Sequence, residues 1–153
     1  SISKILEYGC GIAPISHSLL NIGLKNNLKI TVADIRQINL HYAIYRLGDR
    51  VKSFEITPYK NSITNKSYNV IMMITVMEHL PDPLQTVKNI TAGLKANGIF
   101  IFDYISGDGD GQDTIEAVEQ RGEVLKYIEE NYHLLSGHLS EDISMGTTVC
   151  RLK

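Results

Sequence analysis

A short segment of small and acidic residues follows the first apolar run of the chain. It spans Glu7–Ala13, reads Glu-Tyr-Gly-Cys-Gly-Ile-Ala and leads into a helix-like stretch. Glycines permit a sharp turn and a close approach of the backbone to a ligand, and a helix N-terminus offers unpaired N–H groups to a carboxylate. The alternative is a tight strand-to-helix turn without any ligand, because a short glycine motif alone is weak evidence.

A second acidic residue, Asp34, ends the next apolar run in the order Val-Ala-Asp-Ile. A carboxylate at this position can accept both hydroxyls of a ribose, as an acidic residue does in dinucleotide-binding folds. The alternative roles are a helix cap or a solvated strand end. Taken with the glycine turn, Asp34 predicts a ligand of the adenosine type.

The identity of that ligand depends on two residues of the turn. A dinucleotide fingerprint requires a third glycine where this chain has Pro14, which disfavours NAD and FAD and hence a nicotinamide oxidoreductase. Glu7, two residues before Gly9, would repel a pyrophosphate and attract an ammonium group. The turn therefore favours a ligand that carries both adenosine and an ammonium group.

Strand-like apolar runs alternate with helix-like segments along the chain, which is typical of βα units feeding a mostly parallel sheet. The predicted strands are Lys4–Tyr8, Lys29–Ala33, Val51–Glu55, Tyr68–Ile74, Gly98–Tyr104, His133–Gly137 and Thr147–Leu152. No helical segment separates the last two strands, so they are expected to pair antiparallel. The pattern predicts a three-layer, doubly wound α/β fold around a seven-stranded, mostly parallel sheet with an antiparallel C-terminal edge.

Four helices are predicted between these strands. The first two are Ile15–Asn21 and Ile38–Leu47. The third begins with Asp82 as N-cap and Pro83 at its first position, and Gly98 lies just beyond its end. Its apolar stripe is Leu84, Val87, Ile90 and Leu94. The fourth has Asp113 as N-cap and Glu116 three residues later, and its inner stripe is Ile115, Val118, Gly122, Leu125 and Ile128.

Composition restricts the class of protein. The chain has 153 residues, 43% apolar and 21% charged, and its formal charge is −2. Without a basic block, non-specific nucleic-acid binding is disfavoured. No apolar run reaches the roughly 20 residues of a membrane span, and no secretory signal is present, so no membrane partner and a cytoplasmic location are expected. Cys10 and Cys150 are expected to be free thiols, and an EF-hand pattern is missing from the glycine-rich stretch 106–112.

These segments together resemble the class I S-adenosylmethionine-dependent methyltransferases, in particular their small-molecule branch. Glu7–Ala13 is similar to the family's motif I, with Ala13 in place of its last glycine. Tyr68–Pro83 is similar to the fourth strand and the Glu-His-x-x-Asp-Pro stretch, and Leu94–Gly98 to the turn before the fifth strand. The resemblance implies a Rossmann-like fold from Lys4 onward. The family's helix between the third and fourth strands is reduced here to a polar loop.

The family also carries a leading helix before its first strand. This chain is in an apparent strand by Lys4. We therefore expect residues 1–153 to form one methyltransferase domain that lacks its N-terminal leading helix.

The resemblance assigns cofactor contacts residue by residue. Glu7 would face the ammonium group of S-adenosylmethionine, Asp34 would hold the ribose, and Ile35 would pack on the adenine. Either Glu55 or Thr57 would lie near the adenine amino group. The remaining expected contacts, along the methionine part and the centre of the cofactor, are Gly9, Cys10, Gly11, Met73, Ile74 and Thr75.

His79, Asp103 and Tyr104 are the candidate catalytic residues. An imidazole titrates near neutrality, and His79 follows the fourth strand where an acceptor would enter. Its alternative role is to bind backbone at the approach to a helix. Methyl transfer depends mainly on orientation, so no catalytic triad and no metal are required.

The predicted reaction moves a methyl group from S-adenosylmethionine to an oxygen, nitrogen or carbon atom of a small molecule. The Asn/Asp-Pro-Pro-aromatic motif of nucleic-acid methylating enzymes is replaced by Thr75–Glu78. Nucleic acid is therefore disfavoured as acceptor. The alternative function is a catalytically silent binding or scaffold subunit, and the identity of the acceptor and the oligomeric state are not encoded in any motif.

Overall fold

The computed structural model describes residues 3–22, 27–61, 63, 66–105 and 113–153. Within these ranges the strands are β1 Ser3–Tyr8, β2 Leu28–Ile35, β3 Val51–Ile56, β4 Tyr68–Met73, β5 Leu94–Tyr104, β6 Tyr132–Ser136 and β7 Met145–Leu152. The helices are α1 Pro14–Asn21, α2 Ile38–Leu47, α3 Pro83–Gly93, α4 Ile115–Glu119 and α5 Arg121–Asn131. The glycine-rich stretch 106–112 lies outside the described residues.

All seven strands form one sheet in the order β3-β2-β1-β4-β5-β7-β6. The first five strands run parallel, and β7 pairs antiparallel with both β5 and β6. This confirms the predicted mostly parallel sheet with an antiparallel C-terminal edge. β1 lies between β2 and β4, so the chain winds outward on one side of β1 and then on the other. The carboxyl ends of β1 and its two neighbours therefore form the topological switch point of the sheet.

Helices cover both faces of the sheet. Leu20 of α1 and Leu40 of α2 belong to an apolar cluster that includes Val32, whereas Val87 of α3 shares a different cluster with Ala33. Successive residues of a strand point to opposite faces, so Val32 and Ala33 assign the two clusters to opposite sides of the sheet. The molecule thus has the three predicted layers. No helix among the described residues has the length and apolar character needed to cross a membrane.

The predicted start of α3 is confirmed, but its predicted end is wrong. The Asp82 carboxylate accepts the N–H of Gln85 at 3.1 Å, as an N-cap does. The helix ends at Gly93, and Leu94 already pairs with Tyr68 in the sheet. The next paired residues are Val70 and Ile99, so residues 95–98 form a bulge instead of a helix end. Leu94 is buried there as a strand residue, which explains its place in the apolar stripe.

The predicted fourth helix is divided into α4 and α5, and its predicted N-cap and part of its stripe are wrong. Thr114, not Asp113, is the N-cap, and its hydroxyl accepts the N–H of Ala117 at 3.1 Å. The helix breaks at Gln120, so the two pieces do not share one apolar stripe. Ile115 and Val118 are consequently exposed. The residues that α4 and α5 bury are Ala117, Arg121, Val124, Leu125 and Ile128.

Candidate active site

A cleft of about 440 Å³ opens at the topological switch point. Ligands of open α/β sheets bind at this position, and small-molecule sites have volumes of about 300–1,000 Å³. Its walls come from the turn after β1, the ends of β2 and β3, the segment after β4 and one side of α3. The lining residues are Tyr8, Gly9, Gly11, Asp34, Ile35, Gln37, Ile56–Lys60, Thr75, Val76, His79–Asp82, Gln85, Thr86 and Asn89.

Two glycines shape the turn after β1, and each is required for a different reason. Both have left-handed backbone, with φ of 69° at Gly9 and 53° at Gly11. A Cβ on Gly9 would lie 2.4 Å from Cγ2 of Val76, so only glycine lets the turn pass the segment after β4. A Cβ on Gly11 would meet no protein atom within 4 Å. The backbone at Gly11 therefore faces open space in the cleft, as a ligand-contacting turn requires.

Asp34 ties the end of β2 to this turn. Its carboxylate accepts the N–H of Gly11 at 2.6 Å, the N–H of Ile35 at 2.7 Å and Nε2 of Gln37 at 3.1 Å. A carboxylate has about four acceptor sites, so these three donors leave room for a further hydroxyl. Asp34 is buried but lines the cleft. It can hold the turn and a ligand hydroxyl at the same time.

The Glu7 carboxylate is directed to the start of α1 and does not line the cleft. It accepts the backbone N–H of Ser16 at 2.9 Å and also the Ser16 hydroxyl. Burial raises the pKa of Glu7, and the two donors of Ser16 oppose that shift. In this structure Glu7 holds the first turn of α1 behind the glycine turn.

At the end of β4, Asp103 supports a strained turn. Thr75 has a φ of 56°, an unfavourable value for a β-branched residue, and donates its N–H to Oδ1 of Asp103 at 2.6 Å. Burial raises the pKa of Asp103, while the N–H of Thr75 lowers it. Thr75 lines the cleft and Asp103 does not. Asp103 therefore affects the cleft indirectly, because it holds the backbone of Thr75.

Of the three predicted catalytic residues, the structure brings only His79 to the cleft. The His79 side chain is 39% exposed, and its Nε2 lies 3.8 Å from Oε1 of Glu78. Tyr104 lies in the core, where its hydroxyl donates to the carbonyl of Ala117 and the Arg121 guanidinium lies 4.5 Å from its ring centre. Burial raises the pKa of Tyr104 to about 12. The Tyr104 hydroxyl is therefore engaged away from the cleft.

Some of the expected cofactor contacts line the cleft and others do not. Ile35 and Thr57 line the cleft together with Gly9, Gly11, Asp34 and Thr75. Of the two alternatives at the end of β3, Thr57 lies at the cleft, whereas Glu55 is exposed and 3.9 Å from Arg36. The expected contacts outside the lining are Glu7, Cys10, Glu55, Met73 and Ile74.

Two of these residues are buried elsewhere. Met73 is fully buried in the core. Burial and the charges of Asp34 and Glu7 raise the pKa of the Cys10 thiol to about 12, and both cysteines are free and buried. Cys10 is therefore a core thiol with little thiolate character.

Several lining residues were not predicted. The side of α3 that faces the cleft carries Gln85, Thr86 and Asn89. A detectable signal was the polar pair Gln85 and Asn89, which lies one helical turn apart outside the predicted apolar stripe. Tyr59 and Lys60 belong to a loop without any periodic pattern, so no signal identified them.

Among the described residues, no three His, Cys, Asp or Glu side chains are grouped as metal ligands.

The sheet order, the glycine turn and the carboxylate at the end of β2 define the class I methyltransferase fold. The chain matches a family model described as a methyltransferase domain over residues 2–141. It belongs to this methyltransferase domain family.

Curated relatives include the ubiquinone biosynthesis O-methyltransferase of Histophilus somni (strain 2336), which is 27% identical over 107 residues. That match covers 67% of this chain and 45% of the relative, so the chain spans less than half of the relative's length. The corresponding enzyme of Rickettsia canadensis (strain McKiel) is 30% identical over 105 residues, which are 67% of this chain and 43% of that protein.

Solved structures share the fold. A TehB-like SAM-dependent methyltransferase from Corynebacterium glutamicum superposes with a TM-score of 0.72 at 20% identity. The superposition covers 99% of this chain and 80% of that chain. At this identity the similarity concerns the fold alone.

Proposed function

We propose that this chain transfers a methyl group from S-adenosylmethionine to an oxygen, nitrogen or carbon atom of a small-molecule acceptor. The observation that carries the proposal is the pairing of Gly11 with Asp34. The backbone at Gly11 faces open space, and the carboxylate that fixes it retains acceptor capacity inside a cleft of about 440 Å³. This arrangement suits a ligand with ribose hydroxyls, and family membership supports S-adenosylmethionine as that ligand.

The cofactor, when bound, supplies a methyl group on a sulfonium that is a good leaving group. Asp34 would accept the ribose hydroxyls, and Ile35, with Thr57 near it, would contact the adenine. The chain's task is then to hold the acceptor in line and to exclude water, which can supply about 7–11 kcal/mol in an ideally oriented reaction. His79 lines the same cleft and would accept a proton from the acceptor.

The curated relatives favour an oxygen acceptor, because both carry the name O-methyltransferase. The chain spans less than half of each relative, so their substrates do not extend to it directly. The formal charge of −2 supports a small molecule over nucleic acid.

Calorimetric titration with S-adenosylhomocysteine, S-adenosylmethionine and NAD tests the proposal. We expect both sulfur compounds to bind at one site per chain and NAD to bind much more weakly. Preferred binding of NAD would contradict the assignment. A screen of phenols, amines and carbon acids for release of S-adenosylhomocysteine then separates an enzyme from a silent binding subunit, because the silent subunit binds the cofactor without turnover.

A further inference from the structure

One side of α3 carries two carboxamide side chains at the cleft. Gln85 and Asn89 lie one helical turn apart, and both line the cleft. Nε2 of Gln85 donates to Oδ1 of Asn89 at 3.0 Å. A carboxamide has one acceptor oxygen and an NH₂ group with two donors, so either orientation of this bond leaves one amide with a free acceptor and the other with free donors. Among the described residues, these free atoms have no other hydrogen-bond partner.

Tyr8 contributes a hydroxyl to the same cleft. Its ring is 8% exposed and belongs to the apolar cluster that also contains Val87 of α3. No described residue forms a hydrogen bond with this hydroxyl, yet the only fully enclosed side-chain atoms without a partner in the described part of the chain are Nε of Arg46 and the two oxygens of Glu78. Since Tyr8 lines the cleft, its hydroxyl is open to it. Burial and the charge of Asp34 raise the pKa of Tyr8 to about 12, so the hydroxyl is a donor at neutral pH.

These groups lie near the part of the cleft where the proposed function puts the adenine. Ile35 would contact the adenine, and Ile56 is its register partner in the neighbouring strand. Ile56 lines the cleft and packs against the same apolar cluster as Tyr8 and Val87. The ends of β2 and β3 and the polar side of α3 therefore border the same part of the cleft.

Adenine needs a donor and an acceptor side by side. Its amino group donates hydrogen bonds, and the ring nitrogens on either side of that group, N1 and N7, accept them. Strand β3 brings no carboxylate to the cleft, because Glu55 is exposed and lies 3.9 Å from Arg36. The amide pair of α3 offers the required acceptor and donor, and Asn and Gln side chains recognise adenine in this way in protein–DNA complexes.

We propose that Gln85 and Asn89 recognise the adenine of the cofactor, one amide accepting from its amino group and the other donating to a ring nitrogen beside it. This inference rests on the proposed function and deepens it, because it assigns the base specificity of the cleft to α3 instead of β3. Both amides are uncharged, which suits a neutral heterocycle. A base with a carbonyl in place of the amino group would bring two acceptors together and bind weakly.

S-Inosylhomocysteine is the probe, because it differs from S-adenosylhomocysteine only by a carbonyl in place of the amino group and a proton on N1. By calorimetry, we expect the wild-type chain to bind S-adenosylhomocysteine at least about tenfold more tightly. The double variant Gln85→Ala, Asn89→Ala should reduce this preference to about threefold or less. Alanine favours a helix, and the N-cap bond of Asp82 goes to the backbone of Gln85, so α3 should remain intact. The matched control is Asn39→Ala, an exposed amide of α2 outside the cleft lining, which should keep the full preference.

Two results would overturn the proposal. Equal affinity of the wild-type chain for the two compounds would show, without any variant, that no group recognises the amino position. A wild-type preference that persists in the double variant would exclude the amide pair as its source. Failure of the proposed function shows separately, because neither compound would then bind the wild-type chain.

Discussion

Two parts of the sheet's carboxyl edge bury carboxylates, one around the turn after β1 and one around the turn after β4. Glu7 and Asp34, at the first, accept hydrogen bonds from Ser16 and from Gly11. Glu78, at the second, has no hydrogen-bond partner for either oxygen. Satisfied buried carboxylates fix a structure, whereas an unsatisfied one retains a desolvation cost that a ligand can relieve. The first part is thus fixed by hydrogen bonds, whereas the second retains a buried carboxylate without a hydrogen-bond partner.

The largest expected effect belongs to His79, at the border of the second part. His79→Ala should slow methyl transfer by about 10²–10⁴-fold if its ring accepts the acceptor's proton. The measurement is release of S-adenosylhomocysteine with an acceptor that gives turnover. His41→Ala, a change at an exposed residue of α2, is the matched control. A normal rate in His79→Ala together with an unchanged pH profile would exclude a catalytic role.

A substitution at Gly9 tests how much side chain the turn after β1 tolerates. Gly9→Ala should lower the free energy of unfolding by about 2–5 kcal/mol, because its Cβ would overlap Val76 and its φ of 69° disfavours any side chain. Urea denaturation measures the loss. Gly11→Ala is the matched control and should cost less, because nothing surrounds its Cβ. Adding Val76→Ala to Gly9→Ala should recover part of the loss, and no recovery would contradict the overlap.

Asp34 tests whether the first part also binds the cofactor. Asp34→Ala should weaken S-adenosylhomocysteine binding by about 1.5–3 kcal/mol, the range for hydrogen bonds to a charged partner. Calorimetry measures the change, and Asp49→Ala, on the turn after α2, provides the control. An unchanged dissociation constant would leave Asp34 with its structural role only.

The smallest expected effect is at Tyr104. It tests whether this residue contributes only to the stability of the core or also to methyl transfer. Tyr104→Phe removes only the hydrogen bond to the carbonyl of Ala117, so the free energy of unfolding should fall by about 0.5–1.5 kcal/mol. Affinity for S-adenosylhomocysteine and the methylation rate should remain unchanged. A rate loss beyond the loss of folded protein would show that Tyr104 reaches the acceptor.

The sequence predicted the features that are set locally and not those that depend on contacts between distant residues. The turn after β1 is a local motif, so Gly9 and Gly11 stand out in the sequence, and Asp34 stands out because it ends the next apolar run. Their roles as cofactor contacts stay predictions that the family resemblance implies. The alternation of apolar runs and helical segments predicted the mostly parallel sheet with its antiparallel C-terminal edge. The environments of Glu7 and Tyr104 depend on contacts with Ser16 and Ala117, which no local pattern encodes.

The errors have a similar cause. Leu94 was assigned to α3 because its apolar spacing is helical, but Tyr68 recruits it into the sheet. Thr114 replaced Asp113 as N-cap because its hydroxyl also donates to the carbonyl of Leu80, a partner 34 residues away. The lack of a hydrogen-bond partner at Glu78 becomes visible only once the surrounding elements are assembled.

The position of β7 has a consequence for biosynthesis. Among the described residues, β6 joins the sheet only through β7, and β7 alone covers the edge of β5 that faces away from β4. A ribosome therefore releases β5, with Phe100 and Phe102 on it, long before residues 145–152 can shield that edge. Unpaired apolar edges of this kind promote association between nascent chains. The speed of translation between residues 105 and 152 and access to chaperones should accordingly influence the yield of folded protein, independently of any property of the cleft.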